Sequence, residues 1–237
     1  MNSGVKEGQG TPHGEIRACS YTDKGVRDLN EDSCGVFTFT YPGGRLVLLA
    51  VADGLGGHPA GEVASDLAIS ALRTGVSSAM EAFSVMDTGS LRVVLASGFS
   101  HANREVIRHA SITPGCEGMG TTMVAAIMNQ QGEGVVGNVG DSRAYLVGDE
   151  IRRITKDHSR VQEMVDQGLI SFREAQNHPL RHIVTRIVGR PGDTPDLSQF
   201  HLGSATVSCL ANPVLAAAGS CAVTATYAPT GSGTADA

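Results

Sequence analysis

No stretch of the sequence is apolar for long enough to cross a bilayer. The strongest hydrophobic run, Leu46 to Ala52, has seven residues, against the roughly 20 that a membrane helix needs. The polar, glycine-rich start, MNSGVKEGQGTPHGE, lacks the apolar centre of a secretory signal. Residues 1–15 therefore read as a flexible tail. Lysine and arginine form no cluster and the formal charge is −6. That argues against a nucleic-acid binder, which needs cations to displace counterions from phosphates. The five cysteines are scattered and include no C-x-x-C pair, which argues against a zinc ribbon or disulfide framework and points to reduced thiols in the cytoplasm. Beyond Asp196 no Asp, Glu, Lys or Arg occurs until Asp236. Ala, Ser, Thr and Gly dominate that stretch, with neither helical nor strand periodicity.

What is present is a foldable chain of 237 residues, 41% hydrophobic, long enough for one large domain or two small ones. Residues 16–21, 35–40 and 45–52 read as strands, the last two separated by Tyr41-Pro-Gly-Gly. The run LVLLAVA is apolar at nearly every position, which suits a strand covered on both faces. From residue 60 the period becomes helical, with Val63, Leu67, Ala71 and Leu72 on one stripe. A second helix is expected over 90–110, with Leu91, Val94, Leu95, Ala102 and Val106 inward. Strands return at 121–128, 134–139 and 143–147, the last two expected as a tight hairpin through Gly140-Asp-Ser. Short helices follow near 159–167 and 171–177. Long blocks of strands and helices, with few βαβ crossovers, indicate a layered α+β architecture.

Three acidic clusters end apolar segments: Arg27-Asp-Leu-Asn-Glu31-Asp32, Asp53-Gly54-Leu-Gly-Gly-His58 and Gly140-Asp141-Ser142-Arg143. An aspartate at the mouth of a buried strand is poorly solvated and needs a cation or strong donors nearby. Adjacent glycines allow close backbone approach and leave carbonyls available as ligands. Oxygen donors without clustered His or Cys favour Mg²⁺ or Mn²⁺ over zinc. Each cluster alone reads equally as ordinary structure: an Asp-Gly turn, a solvated acidic loop, a surface arginine, a hairpin cap at Asp141 or a turn histidine at His58.

Their order and context carry more. G-V-R-D-L-N-E-D-S, L-L-A-V-A-D-G-L-G-G-H-P-A-G-E-V-A-S, G-M-G-T-T-M-V-A-A, V-G-N-V-G-D-S-R-A-Y-L, I-T-K-D-H-S-R-V-Q-E-M-V-D-Q-G-L-I and N-H-P-L-R-H-I-V-T-R-I-V-G follow one another over residues 16–200. In that order they resemble the motifs of the metal-dependent protein phosphatases of type 2C, in their bacterial form. The resemblance implies a four-layer α-β-β-α fold, a central β-sandwich flanked by helices. It also implies hydrolysis of phosphoserine and phosphothreonine on proteins at a binuclear Mn²⁺/Mg²⁺ centre. By position, Asp53 bridges the two metals and the Gly54 carbonyl ligates one. Glu31 and Asp32 hold water on the metals or the site around it, and Arg27 grips the substrate phosphate. Asp141 matches the aspartate of a third, weaker metal, His58 is a candidate proton donor, and residues 155–190 match the flap over the site. Two cations about 3.5–4 Å apart make water a nucleophile near neutral pH. A guanidinium holds phosphate oxygens at two points, as lysine cannot. The expected partners are phosphorylated proteins, the products of a serine/threonine kinase, met by a monomer in the cytoplasm, with neither nucleic acid nor membrane involved.

The resemblance stops near residue 200. The family continues with G-D-x-x-L-L-x-S-D-G and later G-x-x-D-N-x-T, each bringing an aspartate to the metals, and neither pattern occurs here. The phosphatase-like domain is thus expected to be C-terminally incomplete, without the closing strands of one sheet, and 201–237 to be a divergent low-complexity tail. Under codons that the degenerate code allows, a shifted frame over 204–210 would read Gly-Asp-Arg-Phe-Leu-Leu, so a frameshifted end is one expectation and a natural divergent terminus the other. The alternative function is a catalytically inactive phosphatase-like module that binds phosphoprotein or a partner.

Overall fold

The computed structural model describes residues 15–24, 28–55, 60–202, 206–210 and 220–228. Two antiparallel five-stranded sheets form the centre. The first has the order β2-β3-β4-β5-β8, with β2 Asp32–Tyr41, β3 Gly44–Asp53, β4 Met123–Asn129, β5 Glu133–Val139 and β8 Asp196–His201. The second has the order β1-β10-β9-β6-β7, with β1 Glu15–Asp23, β6 Arg143–Val147, β7 Ile151–Arg153, β9 Thr206–Leu210 and β10 Ser220–Ala228. Helices α1 (Gly61–Met80) and α2 (Thr88–Ile112) pack on each other and on the first sheet. Two short helices, α3 (Arg160–Asp166) and α4 (Phe172–Gln176), pack together between β7 and β8 in sequence.

The apolar run of β3 explains the layering. Leu46, Leu48, Ala50 and Ala52 point to the helices and join Leu72, Leu91, Leu95 and Phe99 in one core. Val47, Leu49 and Val51 point the other way, into a core between the sheets with Ala144, Cys209 and Ala225. Both sides of β3 are therefore buried, as continuous apolar character requires. The expected inward residues of α2 are all buried. That helix starts where the Asp87 carboxylate accepts from the Ser90 N–H at 2.8 Å, an N-cap.

Three expectations are corrected. Residues 134–139 and 143–147 do not form a hairpin: β5 lies in the first sheet and β6 in the second, so Gly140-Asp-Ser carries the chain between layers. Gly140 makes that step at φ +106°, and a Cβ there would lie 2.6 Å from the Thr122 Cβ. The second sheet is closed, not missing its strands. β9 pairs with β6, and β10 pairs with both β9 and β1. Apart from Leu210 and Tyr227, these strands are built of Thr, Val, Ser, Cys and Ala. Small residues with interleaved β-branched ones suit a pleated, close-packed sheet without showing a hydrophobic period. Finally, the helix pair α1–α2 and the two sheets make three layers; among the described residues no long helix covers the outer face of the second sheet.

Candidate active site

β2 begins where β3 ends, and their antiparallel register sets Asp32 directly opposite Asp53 at one end of the first sheet. The chain just after Asp53 is tied down on two sides. The Gly54 N–H donates to the Glu31 carbonyl at 3.0 Å, and the Leu55 N–H to the Gly120 carbonyl at 3.1 Å. A Cβ on Gly54 would stand 2.2 Å from the Gly61 carbonyl oxygen, so only glycine lets β3 pass the start of α1. That start brings in Glu31: its Oε1 lies 3.0 Å from where a Gly61 Cβ would be. The positive end of the α1 dipole favours a carboxylate there. Ala60, just before α1, has φ +59°, an unusual conformation for alanine and of the kind that gathers at functional sites.

Asp53 is also gripped through its own backbone. Its N–H donates to the Thr122 Oγ1 at 3.2 Å, and the Thr122 N–H donates to its carbonyl at 2.9 Å. The Thr122 and Ser142 hydroxyls are 2.6 Å apart, which links Asp53 to the loop that bears Asp141.

Asp141 sits below α3 and α4, in a pocket with Arg143, Asp157, Ser159, Arg181 and His182. Burial, then the nearby Asp157 charge, pushes its carboxyl up to about 6. Asp157 is itself engaged by Arg143 in a two-pronged contact, Nη2 to Oδ2 at 2.7 Å and Nε to Oδ1 at 3.0 Å. Arg153 approaches from a second side at 3.5 Å. The neighbouring His158 takes the Gly140 N–H on Nδ1 at 3.1 Å and donates its own N–H to the Gly140 carbonyl at 2.9 Å. G-D-S-R and D-H-S are therefore bolted together, Gly140 to His158 and Arg143 to Asp157. The segment above is capped in order, by Ser159 at α3 and by a capping box of Ser171 and Glu174 at α4. Its return toward β8 is fastened by Asn103 of α2, which accepts from the Gly189 N–H at 2.7 Å and donates to the Arg190 carbonyl at 3.0 Å.

Of the residues singled out from sequence, Glu31, Asp32, Asp53 and Gly54 come together at one sheet end. Asp141 lies in the adjoining pocket, joined to them through Thr122 and Ser142. Arg27 and His58 lie outside the described residues. The donors are carboxylates and a carbonyl, which fits a hard cation of the Mg²⁺ or Mn²⁺ kind, commonly held by one or two carboxylates plus water. Among the described residues, however, no group of three or more His, Cys, Asp or Glu is arranged to hold a metal ion. The described donors fit part of a binuclear ligand set and do not complete it. Thr122, Arg143, Asp157, His158 and Asp196 carry no signal of their roles in the sequence alone. The G-T-T and D-H-S patterns were visible, but only the fold shows what they grip.

A family model described as protein phosphatase 2C matches residues 25–190. The serine/threonine phosphatase stp of Listeria innocua is 39% identical over 182 residues, 76% of this chain and 68% of that protein. The serine/threonine protein phosphatase PstP of Mycobacterium tuberculosis is 40% identical over 177 residues, 72% of this chain and 30% of its own length. The crystal structure of Stp1 from Staphylococcus aureus superposes with a TM-score of 0.78 at 28% identity, covering 93% of this chain and 98% of that one. The catalytic domain of PstP in complex with two manganese ions gives 0.70 at 27% identity, over 90% and 98% of the two chains. A likeness over 93% of the chain must reach past residue 190, where the family model's match ends. That likeness therefore takes in part of the chain beyond the family model's match. With its motifs in order and its sandwich shared with these enzymes, the chain belongs to the protein phosphatase 2C family, metal-dependent serine/threonine phosphatases.

Proposed function

We propose that this chain removes phosphate from phosphoserine and phosphothreonine on proteins, using divalent cations held at the Asp32–Asp53 end of the first sheet. The observation that carries the reading is the opposition of Asp32 and Asp53 beside Gly54 and Glu31. Asp53 would bridge two Mn²⁺ or Mg²⁺ ions, the Gly54 carbonyl would ligate one, and Glu31 and Asp32 would order the site around them. Asp141 would serve a third, weaker ion. When bound, the cations supply an activated water and offset the charge of the phosphoryl group. The chain's own residues do the rest. Arg27 would orient the phosphate by a two-point contact, and His58 would pass a proton to the leaving seryl or threonyl oxygen. Thr122 would keep Asp53 in place, and the segment carrying α3 and α4 would shape access for the phosphorylated side chain. Such substrates are made by serine/threonine kinases, which places the enzyme opposite a kinase. The enzyme would act as a monomer, and a cytoplasmic place accords with the thiols of Cys19, Cys34, Cys116 and Cys209, none of them in a disulfide. Among the described residues no helix is long and apolar enough to cross a membrane.

A second reading, a phosphatase-like module that binds phosphoprotein without hydrolysis, draws on the lack of any aspartate between Asp196 and Asp236 and on the incomplete ligand set. Incubating the chain with a phosphothreonine peptide and Mn²⁺, while following both peptide binding and phosphate release, separates the two. Release that stops on chelation is expected. Binding without release would move the assignment to the binding module.

A further inference from the structure

We infer that His158 is a positioning residue for the Asp141 loop, a role set by Asp196, which fixes the tautomer of its ring. This rests on the phosphatase reading above for its effect on rate, and on geometry alone for its effect on structure. His158 is buried and its ring has three polar neighbours. The Gly140 N–H lies 3.1 Å from Nδ1. Asp196 Oδ2 lies 3.0 Å from Nε2, and Arg186 Nη1 lies 3.3 Å from Nε2. A backbone N–H can only donate, so Nδ1 must carry the lone pair. A neutral ring then has its proton on Nε2, and Asp196 accepts it. Arg186 cannot also donate to Nε2; its proton goes to the other carboxylate oxygen, Asp196 Oδ1, at 2.9 Å.

The pieces held this way are far apart in sequence. Asp196 is the first residue of β8 in the first sheet, Gly140 the step between sheets, and His158 the entry to the segment bearing α3 and α4. Gly140 needs the hold because its φ of +106° leads directly into Asp141. The same loop contacts Asp53 through Ser142 and Thr122. A ring that offered Nδ1–H instead would set two donors against each other at Gly140, and the loop would have to move. A carboxylate that orients a histidine, which in turn orients a functional loop, is the arrangement of an outer-shell support.

The test uses the full chain with three variants: His158→Asn, His158→Ala and Asp196→Asn. The Asn side-chain oxygen can take the place of Nδ1 as acceptor, whereas Ala offers nothing. On a phosphothreonine peptide with Mn²⁺, His158→Ala is expected to lower kcat by about 10–100-fold with KM nearly unchanged. His158→Asn should recover most of that loss, and Asp196→Asn should fall between. Independently of activity, side-chain ¹⁵N spectra of the metal-free chain should show His158 as the Nε2–H tautomer, and the Gly140 amide signal should move in His158→Ala. An Nδ1–H tautomer, an unmoved Gly140 signal, or an Asn variant as impaired as Ala would overturn the proposal. Should the wild-type chain release no phosphate, the functional reading fails by itself and the two spectral results decide this one.

Discussion

Asp32 and Asp53 face each other across the β2–β3 ladder, the last pair before both strands leave the sheet. Like charges directly opposite one another in a sheet cost stability, and a divalent cation at that end reverses the sign of the interaction. Mn²⁺ is therefore expected to raise the melting temperature of the chain. At one hundred times its Kd a ligand stabilises by about 2.7 kcal/mol, or about 5–10 °C for a domain of this size. Thermal unfolding of Asp53→Asn should show little of that rise. An equal rise in wild type and variant would mean that the cation binds elsewhere.

In the Arg143–Asp157 contact the carboxylate is buried and the guanidinium half-buried, with side-chain exposures of 8% and 18%. Asp157→Ala leaves Arg143 without its two-pronged acceptor in a place with little water. Breaking such a pair from one side costs about 3–5 kcal/mol. Urea unfolding of Asp157→Ala should show a loss of that size. A loss below about 1 kcal/mol would mean that the two motifs are held together by other contacts.

Acid should act on Asp196. Partial burial opposes its ionisation, but the hydrogen bonds from His158 and Arg186 outweigh this and hold its carboxyl below the ordinary value of 3.8. A folded-state value below the unfolded one adds stability that is present above about pH 4 and disappears as pH falls through the folded value. Stability measured from pH 6 downward should thus fall more steeply below pH 4 in the wild type than in Asp196→Asn. Parallel curves would show that the carboxylate contributes nothing to the folded state.

Cys209 reports on the closing strands. It lies in β9 with no exposed surface, and burial pushes its thiol up to about 12, whereas Cys19 of β1 is exposed. Alkylation of the native chain followed by peptide mass analysis should label Cys19 promptly and Cys209 only after unfolding. Rapid native labelling of Cys209 would mean that β9 does not pack against β6, and would return residues 201–237 to the divergent tail that their composition suggests.

Much of this is legible in the sequence, and the exceptions have physical causes. β3 and the inward face of α2 announce themselves because burial on both faces leaves an unbroken apolar run and helical burial a clear period. The order of the motifs pointed to the protein phosphatase 2C family, to which the chain belongs. β9 and β10 left no such sign, because Cys209 and Ala225 fill the space between sheets with small side chains, which register as low complexity. Gly140-Asp-Ser looked like a hairpin because local turn chemistry says nothing about which sheet the next strand joins. His158 and Asp196, 38 residues apart, meet only once the first sheet has its fifth strand.

Metal-dependent phosphate release is the role proposed for the carboxylates of this sheet end. Its most direct test is phosphate release from a phosphothreonine peptide by the purified chain, with and without Mn²⁺, beside Asp53→Ala. Release that requires Mn²⁺ and falls by at least about 100-fold in the variant is the expected result. Folded wild-type chain that releases no phosphate, or an Asp53→Ala variant as fast as wild type, would contradict it.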